Sequence, residues 1–385
     1  MSDRIRRRIA LIGPAAPFRG GIAQFTDTIA EGLRDRGHHV YVATFRRQYP
    51  AFLYPGTSQQ DPDKKAIATA ERLIDTVNPV TWVKTAREVA RRDVSAVFFQ
   101  YWMPYFAPAY ATIAGRLKKR GIRVYAVVHN VVPHEKHVGD DRLGRFFLEK
   151  CEGFVTLSDA VAEDLDELGM TAPRETVAHP VYQHFGDRVD RDEARKRLGV
   201  DADVELLLFF GFVRPYKGLK NLLRAMPGIV AARPNVRLIV AGEFYDREEP
   251  YREIIDRLGL TDVVDVRNDY VPEEEVSDYF SAANVVVQPY ETATQSGVVQ
   301  TAYNFDRPVI VTDVGGLAEV VPDGEAGYVV PPNDPDALAA AVARYFSEEK
   351  EADFTEGVRR EKQRYTWARL LDVLEEMTGD AITVQ

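Results

Sequence analysis

Residues 205–232 read ELLLFFGFVRPYKGLKNLLRAMPGIVAA, from Glu205 to Ala232. The apolar run Glu205–Phe210 has the length of a buried strand, and Leu219–Ala232 reads as a helix. Gly211 ends the strand, and the helix begins after Gly218. A strand that feeds a helix through a short loop is the building unit of a parallel α/β sheet.

The same alternation extends downstream. Strands are expected at Val236–Ala241, Val263–Val266, Val285–Val287 and Val309–Val311. Helices are expected at Tyr251–Leu258, Glu273–Ala283, Ser296–Phe305 and Asp334–Phe346, followed by one long charged C-terminal helix. Upstream, Ile9–Ile12 is an apolar strand followed by the Gly/Pro-rich turn Gly13–Gly21. Phe25, Ile29 and Leu33 then mark an amphipathic helix that ends near Gly37, and His39–Thr44 is the next strand. Residues 45–80 read as an irregular excursion rich in Pro, Gly, Gln and Asp. The pattern resumes with a helix at Trp82–Arg92, a strand at Ala96–Phe99, a helix at Tyr110–Arg120 and a strand at Arg123–Val128. A helix at Arg142–Cys151, a strand at Gly153–Leu157 and a helix capped by Ser158 complete the first series. Two series of about 180 residues each, joined by a linker near 180–200, predict an α/β protein of two doubly wound domains whose sheets face across a cleft. The expected boundaries are 1–185 and 190–359, with residues from about 360 to 385 packing back on the first domain.

Composition narrows the function classes. The chain has 385 residues, 45% of them hydrophobic and 28% charged, as in an ordinary globular protein. No apolar run reaches the roughly 18 residues of a membrane-spanning helix. The single cysteine, Cys151, excludes an internal disulfide framework and a cysteine metal cluster, and the cytosol is the expected compartment. The net charge of -10 argues against nucleic-acid binding. That charge is unevenly spread: residues 1–150 hold 25 Lys+Arg against 14 Asp+Glu, and the remainder hold 24 against 45. An anionic partner for the front half, or an accident of composition, would each account for this.

Three loops carry candidate chemistry. Gly20 and Gly21 precede a helix and either form a tight turn or let backbone N–H groups approach an anion. The run Gly13–Gly21 matches neither a dinucleotide fingerprint nor a phosphate-binding P-loop. Arg214 and Lys217, between Gly211 and Gly218, place two cations beside a helix start; they suit a diphosphate, or else are solvated loop charges. Gln288-Pro-Tyr-Glu-Thr-Ala-Thr-Gln-Ser-Gly297 places Glu291 near a strand end. It also places Thr294, Gln295, Ser296, Gly297 and Val298 at a helix start, where a hydroxyl can cap the helix and the amides can meet phosphate.

Together these loops resemble the GT-B glycosyltransferases, specifically glycosyltransferase family 4, the retaining nucleotide-sugar-dependent group. The matching residues are Gly20-Gly-Ile22, Val127-Val-His-Asn130, the Arg214/Lys217 loop, Ala241-Gly-Glu243 and Gln288-Pro-Tyr-Glu291. The most family-specific stretch is Pro308–Val321, and Gly324–Pro332 matches the family's closing turn before the penultimate helix. The resemblance implies two Rossmann-like domains, with a nucleotide sugar as donor; no metal or other cofactor is expected if Arg214 and Lys217 offset the diphosphate charge. It implies that Arg214 and Lys217 hold the donor diphosphate, that His129 faces the transferred sugar, and that Gly21 lines the cleft through its backbone. Arg267–Val271, including Tyr270 and Val271, would frame the base. Two departures stand out. The residue eight after Glu291 is Val299, and alignment from Pro308 puts Thr301 where the family has its second glutamate. Phe212 stands where the family often has an arginine, and Arg214 lies two residues on.

Sugar transfer builds positive charge on the sugar and negative charge on the departing diphosphate. Fixed cations and helix amides lower that barrier. Asp61-Pro-Asp63 has metal-phosphate spacing but lies in the irregular stretch, so no metal role is assigned to it. The acceptor is a glycan, a lipid-linked sugar or a small molecule in cell-surface glycan assembly. The seven aromatics between Phe98 and Tyr110 form an acceptor wall, a patch dipping into an anionic membrane beside Arg116, Lys118, Lys119 and Arg120, or plain core. A nucleotide-sugar epimerase and a catalytically silent nucleotide-sugar-binding partner are the competing functions.

Overall fold

A computed structural model describes residues 6–50, 59–60, 70–131, 138–181, 185–245, 247–293 and 296–379. Two compact units emerge. One comprises Met1–Ala178 with Trp367–Gln385, and the other His179–Thr366.

The first unit contains a seven-stranded parallel sheet. Its strands are β1 (Arg8–Ile12), β2 (His39–Arg47), β3 (Ala70–Asp75), β4 (Ala96–Tyr101), β5 (Arg123–Val128), β6 (Gly153–Thr156) and β7 (Arg174–Thr176). They lie in the order β3-β2-β1-β4-β5-β6-β7. Both faces of the sheet are covered. Ala10, Ile12, Val97 and Phe99 pack into one cluster, and Ile9, Leu11, Phe98 and Val127 into another. Burial on both faces explains why these strands read as unbroken apolar runs.

Two features of this unit differ from the sequence expectation, and a third decides between alternatives the sequence left open. The interval 45–80 is not wholly irregular. It holds the end of β2, the edge strand β3, and the start of a helix Pro79–Ala90 capped by Asn78, whose side chain accepts from Val80 N–H. In β3 only Ile74 is buried, so an apolar signal was absent. The aromatic segment is mainly core: Phe98, Phe99, Tyr101, Phe106 and Tyr110 are fully buried, whereas Trp102 and Tyr105 are half-buried. Five of the seven aromatics are thus taken up by the core, while Arg116, Lys118, Lys119 and Arg120 are exposed. Finally, the charged C-terminal segment is two helices. Glu351–Glu361 belongs to the second unit and Trp367–Gly379 to the first. The latter buries Leu370, Val373 and Leu374, sets the Trp367 ring 5.0 Å from Phe25, and lays Leu371 against Gly32.

The second unit contains a six-stranded parallel sheet. Its strands are β8 (Glu205–Phe210), β9 (Val236–Ala241), β10 (Val264–Arg267), β11 (Val285–Gln288), β12 (Val309–Thr312) and β13 (Gly327–Val330). Their order is β10-β9-β8-β11-β12-β13. The expected linker contains a helix, Arg191–Leu198, with the Asp190 side chain capping its start and Gly199 in the left-handed region at its end. In each sheet the order reverses at one place, between β1 and β4 in the first and between β8 and β11 in the second. Loops leaving the carboxyl ends of such strands flank a crevice.

Among the described residues, no helix is long and apolar enough to cross a membrane.

Candidate functional site

The second unit's switch point gathers most of the candidate residues. The loop after β8 runs from Gly211, at φ 91°, to Gly218, at φ 69°. Both conformations favour glycine. A Cβ on Gly218 would lie 1.8 Å from the Pro289 carbonyl oxygen, so this glycine lets the β8 and β11 loops touch. The same two loops are joined by Glu291 N–H donating to Tyr216 O at 2.7 Å. The β9 loop is drawn in as well. Gly211 N–H donates to Ala241 O, and a Cβ on Gly242 would lie 2.3 Å from Gly211 O.

Arg214 and Lys217 stand within this junction. The Arg214 guanidinium lies 4.6 Å from the Tyr245 ring centroid, and the Lys217 ammonium lies 5.6 Å from that of the buried Tyr290. A Cβ on Gly211 would be 3.3 Å from Lys217 Nζ and 3.4 Å from Val298 Cγ2, which places Gly211, Lys217 and Val298 side by side. Among the described residues, no carboxylate pairs with either cation. Lys217 keeps some exposure, but its amine is crowded. Desolvation first, and the neighbouring Arg214 second, lower its pKa to about 7. With no counter-ion among the described residues, the two adjacent basic groups carry unspent positive potential.

The helix Gly297–Asn304 starts beside them. The Ser296 side chain caps it by accepting from Val299 N–H, and its hydroxyl reaches Tyr290 Oη at 3.4 Å. Thr301, which stands where the family has its second glutamate, donates its hydroxyl to Gly297 O at 2.9 Å. Its side chain is thus spent on the helix itself. Glu291 is exposed, and Asn221 Nδ2 donates to it at 3.3 Å while also donating to Asn333 Oδ1 at 3.0 Å. Tyr270 and Val271 line a cavity of about 520 Å³ beyond β10, together with Arg267 and Asn268. Thr294 and Gln295 lie outside the described residues, as do Asp61 and Asp63.

Gly20, Gly21 and His129 belong to the first unit. Gly20, at φ 104° and ψ 160°, is the residue before the helix Gly21–Asp35, a backbone shape suited to glycine. His129 follows β5 and is 5% exposed. Its Nε2 meets Gln100 Oε1 at 2.8 Å, and its ring lies edge-on to Phe25 at 4.8 Å. Gln100 was not anticipated; its signal is one polar residue in the apolar run of β4. Gly13 makes room for it, since a Cβ there would fall 2.7 Å from the Gln100 side chain. Tyr245 and Asn221 were likewise missed, because nothing in their sequence neighbourhoods marks them.

Comparison with known proteins agrees with this architecture. The model for "Glycosyl transferases group 1" matches residues 190–361, and the model for "Glycosyltransferase Family 4" matches residues 19–181. The chain is 27% identical to a D-inositol 3-phosphate glycosyltransferase of Thermobispora bispora, over 96% of the chain and 92% of that protein. It is 31% identical to one of Thermomonospora curvata over 64% of the chain, spanning 58% of that relative's length. Among solved structures, sucrose-phosphate synthase from Thermosynechococcus elongatus aligns with a TM-score of 0.78 at 21% identity, over 97% of this chain and 98% of that one. Anabaena HepE in complex with UDP-glucose also aligns with a TM-score of 0.78, at 17% identity, over 97% and 99%. With one family model spanning most of the first unit and another most of the second, the chain belongs to glycosyltransferase family 4: it is a glycosyltransferase of GT-B type, built from two Rossmann-like halves.

Proposed function

We propose that the second unit binds the diphosphate of a nucleotide sugar through Arg214, Lys217 and the amides that open the helix Gly297–Asn304. The observation that carries this reading is the pair of cations at the β8/β11 switch point with no carboxylate partner among the described residues. The structural relative HepE, whose complexes hold UDP and UDP-glucose, is in keeping with it. Gly211 provides close backbone approach, Tyr270 and Val271 flank the base, and Glu291 meets sugar hydroxyls. His129, Gly20 and Gly21 serve the transferred sugar from the first unit.

As the bond between sugar and diphosphate breaks, negative charge grows on the leaving group, and the two cations stabilise it in place of a metal. The leaving phosphate oxygen takes the acceptor proton on the same face, so the anomeric configuration is retained. For the acceptor, the relatives named D-inositol 3-phosphate glycosyltransferases favour a phosphorylated polyol. The basic excess of residues 1–150 suits that charge. The broader class is a glycan, lipid-linked or small-molecule acceptor in surface-glycan assembly, with the cytoplasm as the proposed compartment.

The test is Lys217→Ala. Transfer from the nucleotide sugar should fall about 10²- to 10³-fold. Unchanged transfer would remove the diphosphate assignment. Acceptance of inositol but not inositol phosphate would remove the acceptor assignment alone.

A further inference from the structure

The loop after β8 continues the sheet beyond its strands. Val213 is bridged in parallel to Phe244, with Val213 N–H donating to Glu243 O at 2.9 Å and Tyr245 N–H donating to Val213 O at 3.0 Å. Arg214 is extended, at φ -134° and ψ 154°. Residues two apart in extended chain share a face. Phe212 and Arg214 therefore emerge on one side of the buried Val213, and the contacts show that Tyr245 lies there with both. Phe212 and Tyr245 have ring centroids 4.4 Å apart at 36°, and the Arg214 guanidinium carbon is 4.6 Å from the Tyr245 centroid. Tyr270 stands 6.5 Å beyond Phe212.

We infer that Tyr245 is the positioning residue for Arg214, its ring backed by Phe212 and holding the guanidinium by stacking at the donor site. This rests on the diphosphate reading above. A carboxylate could also fix an arginine, but it would occupy the N–H edge and cancel the charge. A ring attracts the flat face and leaves the N–H edge open to phosphate oxygens. Among the described residues, Arg214 makes no hydrogen bond through its guanidinium. The arrangement also accounts for the displaced arginine. The residue directly after Gly211 is spent on supporting Tyr245, and the cation is supplied two positions later on the same face.

The experiment measures the affinity of wild type, Arg214→Ala, Tyr245→Phe, Tyr245→Leu and the double variant Arg214→Ala/Tyr245→Leu. The probe is whichever of UDP, GDP and ADP gives the largest thermal shift. Melting temperature controls for folding. Tyr245→Leu is expected to weaken binding about 5- to 20-fold, and Tyr245→Phe, which keeps the ring, to stay near wild type. In the Arg214→Ala background, Tyr245→Leu should add nothing, because the residue acts through the arginine. If Arg214→Ala weakens binding and Tyr245→Leu does not, the positioning role is overturned while the diphosphate site stands. An additive double variant overturns it too, since Tyr245 then acts independently. If no diphosphate binds, or Arg214→Ala binds it as wild type does, the diphosphate reading falls and this inference with it.

Discussion

The lowered pKa of Lys217 makes donor binding a proton-linked event. With a pKa of about 7 in the free protein, the amine is about nine-tenths charged at pH 6, about half charged at pH 7 and about a tenth charged at pH 8. A diphosphate seated on Lys217 favours the ammonium and raises its pKa, so binding draws in the missing proton. The expected uptake is roughly half a proton at pH 7 and roughly nine-tenths at pH 8. Affinity should accordingly fall with rising pH, approaching about tenfold per unit above pH 7. Below pH 6 the lysine is already charged, and the dependence should vanish. Calorimetry of an intact nucleotide sugar in buffers of different ionisation heat reads the uptake directly, and a nucleotide sugar's diphosphate does not itself titrate in this range. Lys217→Arg, whose guanidinium stays charged throughout, should bind with no such uptake. Zero uptake at pH 8 in the wild type, or equal uptake in Lys217→Arg, would refute the account. The sign for folding is the opposite. The unfolded chain's lysine holds its proton up to its ordinary value while the folded one releases it near 7. Stability from this group therefore rises with pH across that interval.

Two further outcomes follow from packing. Gly218→Ala would meet the Pro289 carbonyl at 1.8 Å in a left-handed backbone, prising the β8 and β11 loops apart. It should cost about 1–3 kcal/mol of stability and most of the donor affinity, read by thermal melting with and without nucleotide sugar. Truncation after Thr366 should uncover the apolar surface that Leu370, Val373 and Leu374 cover on the first unit. At roughly 1.5–3 kcal/mol per buried side chain, the loss rivals the whole stability of a domain. Insoluble expression, or rapid proteolysis of the first unit, is the expected result; a soluble truncated protein with an unchanged melting temperature would contradict it.

Much of this molecule is written locally. The interior strands of the two parallel sheets are buried on both faces, so β1, β4, β5, β8, β9, β11 and β12 appear as apolar runs. Glycines with positive φ at Gly20, Gly211 and Gly218 punctuate the loops because few other residues adopt those shapes. Arg214, Lys217 and Ser296 were therefore recognisable from their places between a strand end and a helix start. Edge strands β3 and β7 escaped notice because little of either is buried. The break at Thr366 escaped notice because the charged segments on both sides of it favour helix, and only docking of Leu370 and Trp367 on the first unit distinguishes them. The partners of the site residues were invisible for a related reason. Tyr245 meets Arg214 across a strand crossover, Gln100 meets His129 from a neighbouring strand, and Asn221 reaches Glu291 from a helix 70 positions away. Sequence determined which residue types stand at the sheet ends, because that depends on local backbone preference and burial. Tertiary structure alone decided which of them touch and the Lys217 pKa, because desolvation and stacking arise only when distant loops are brought together.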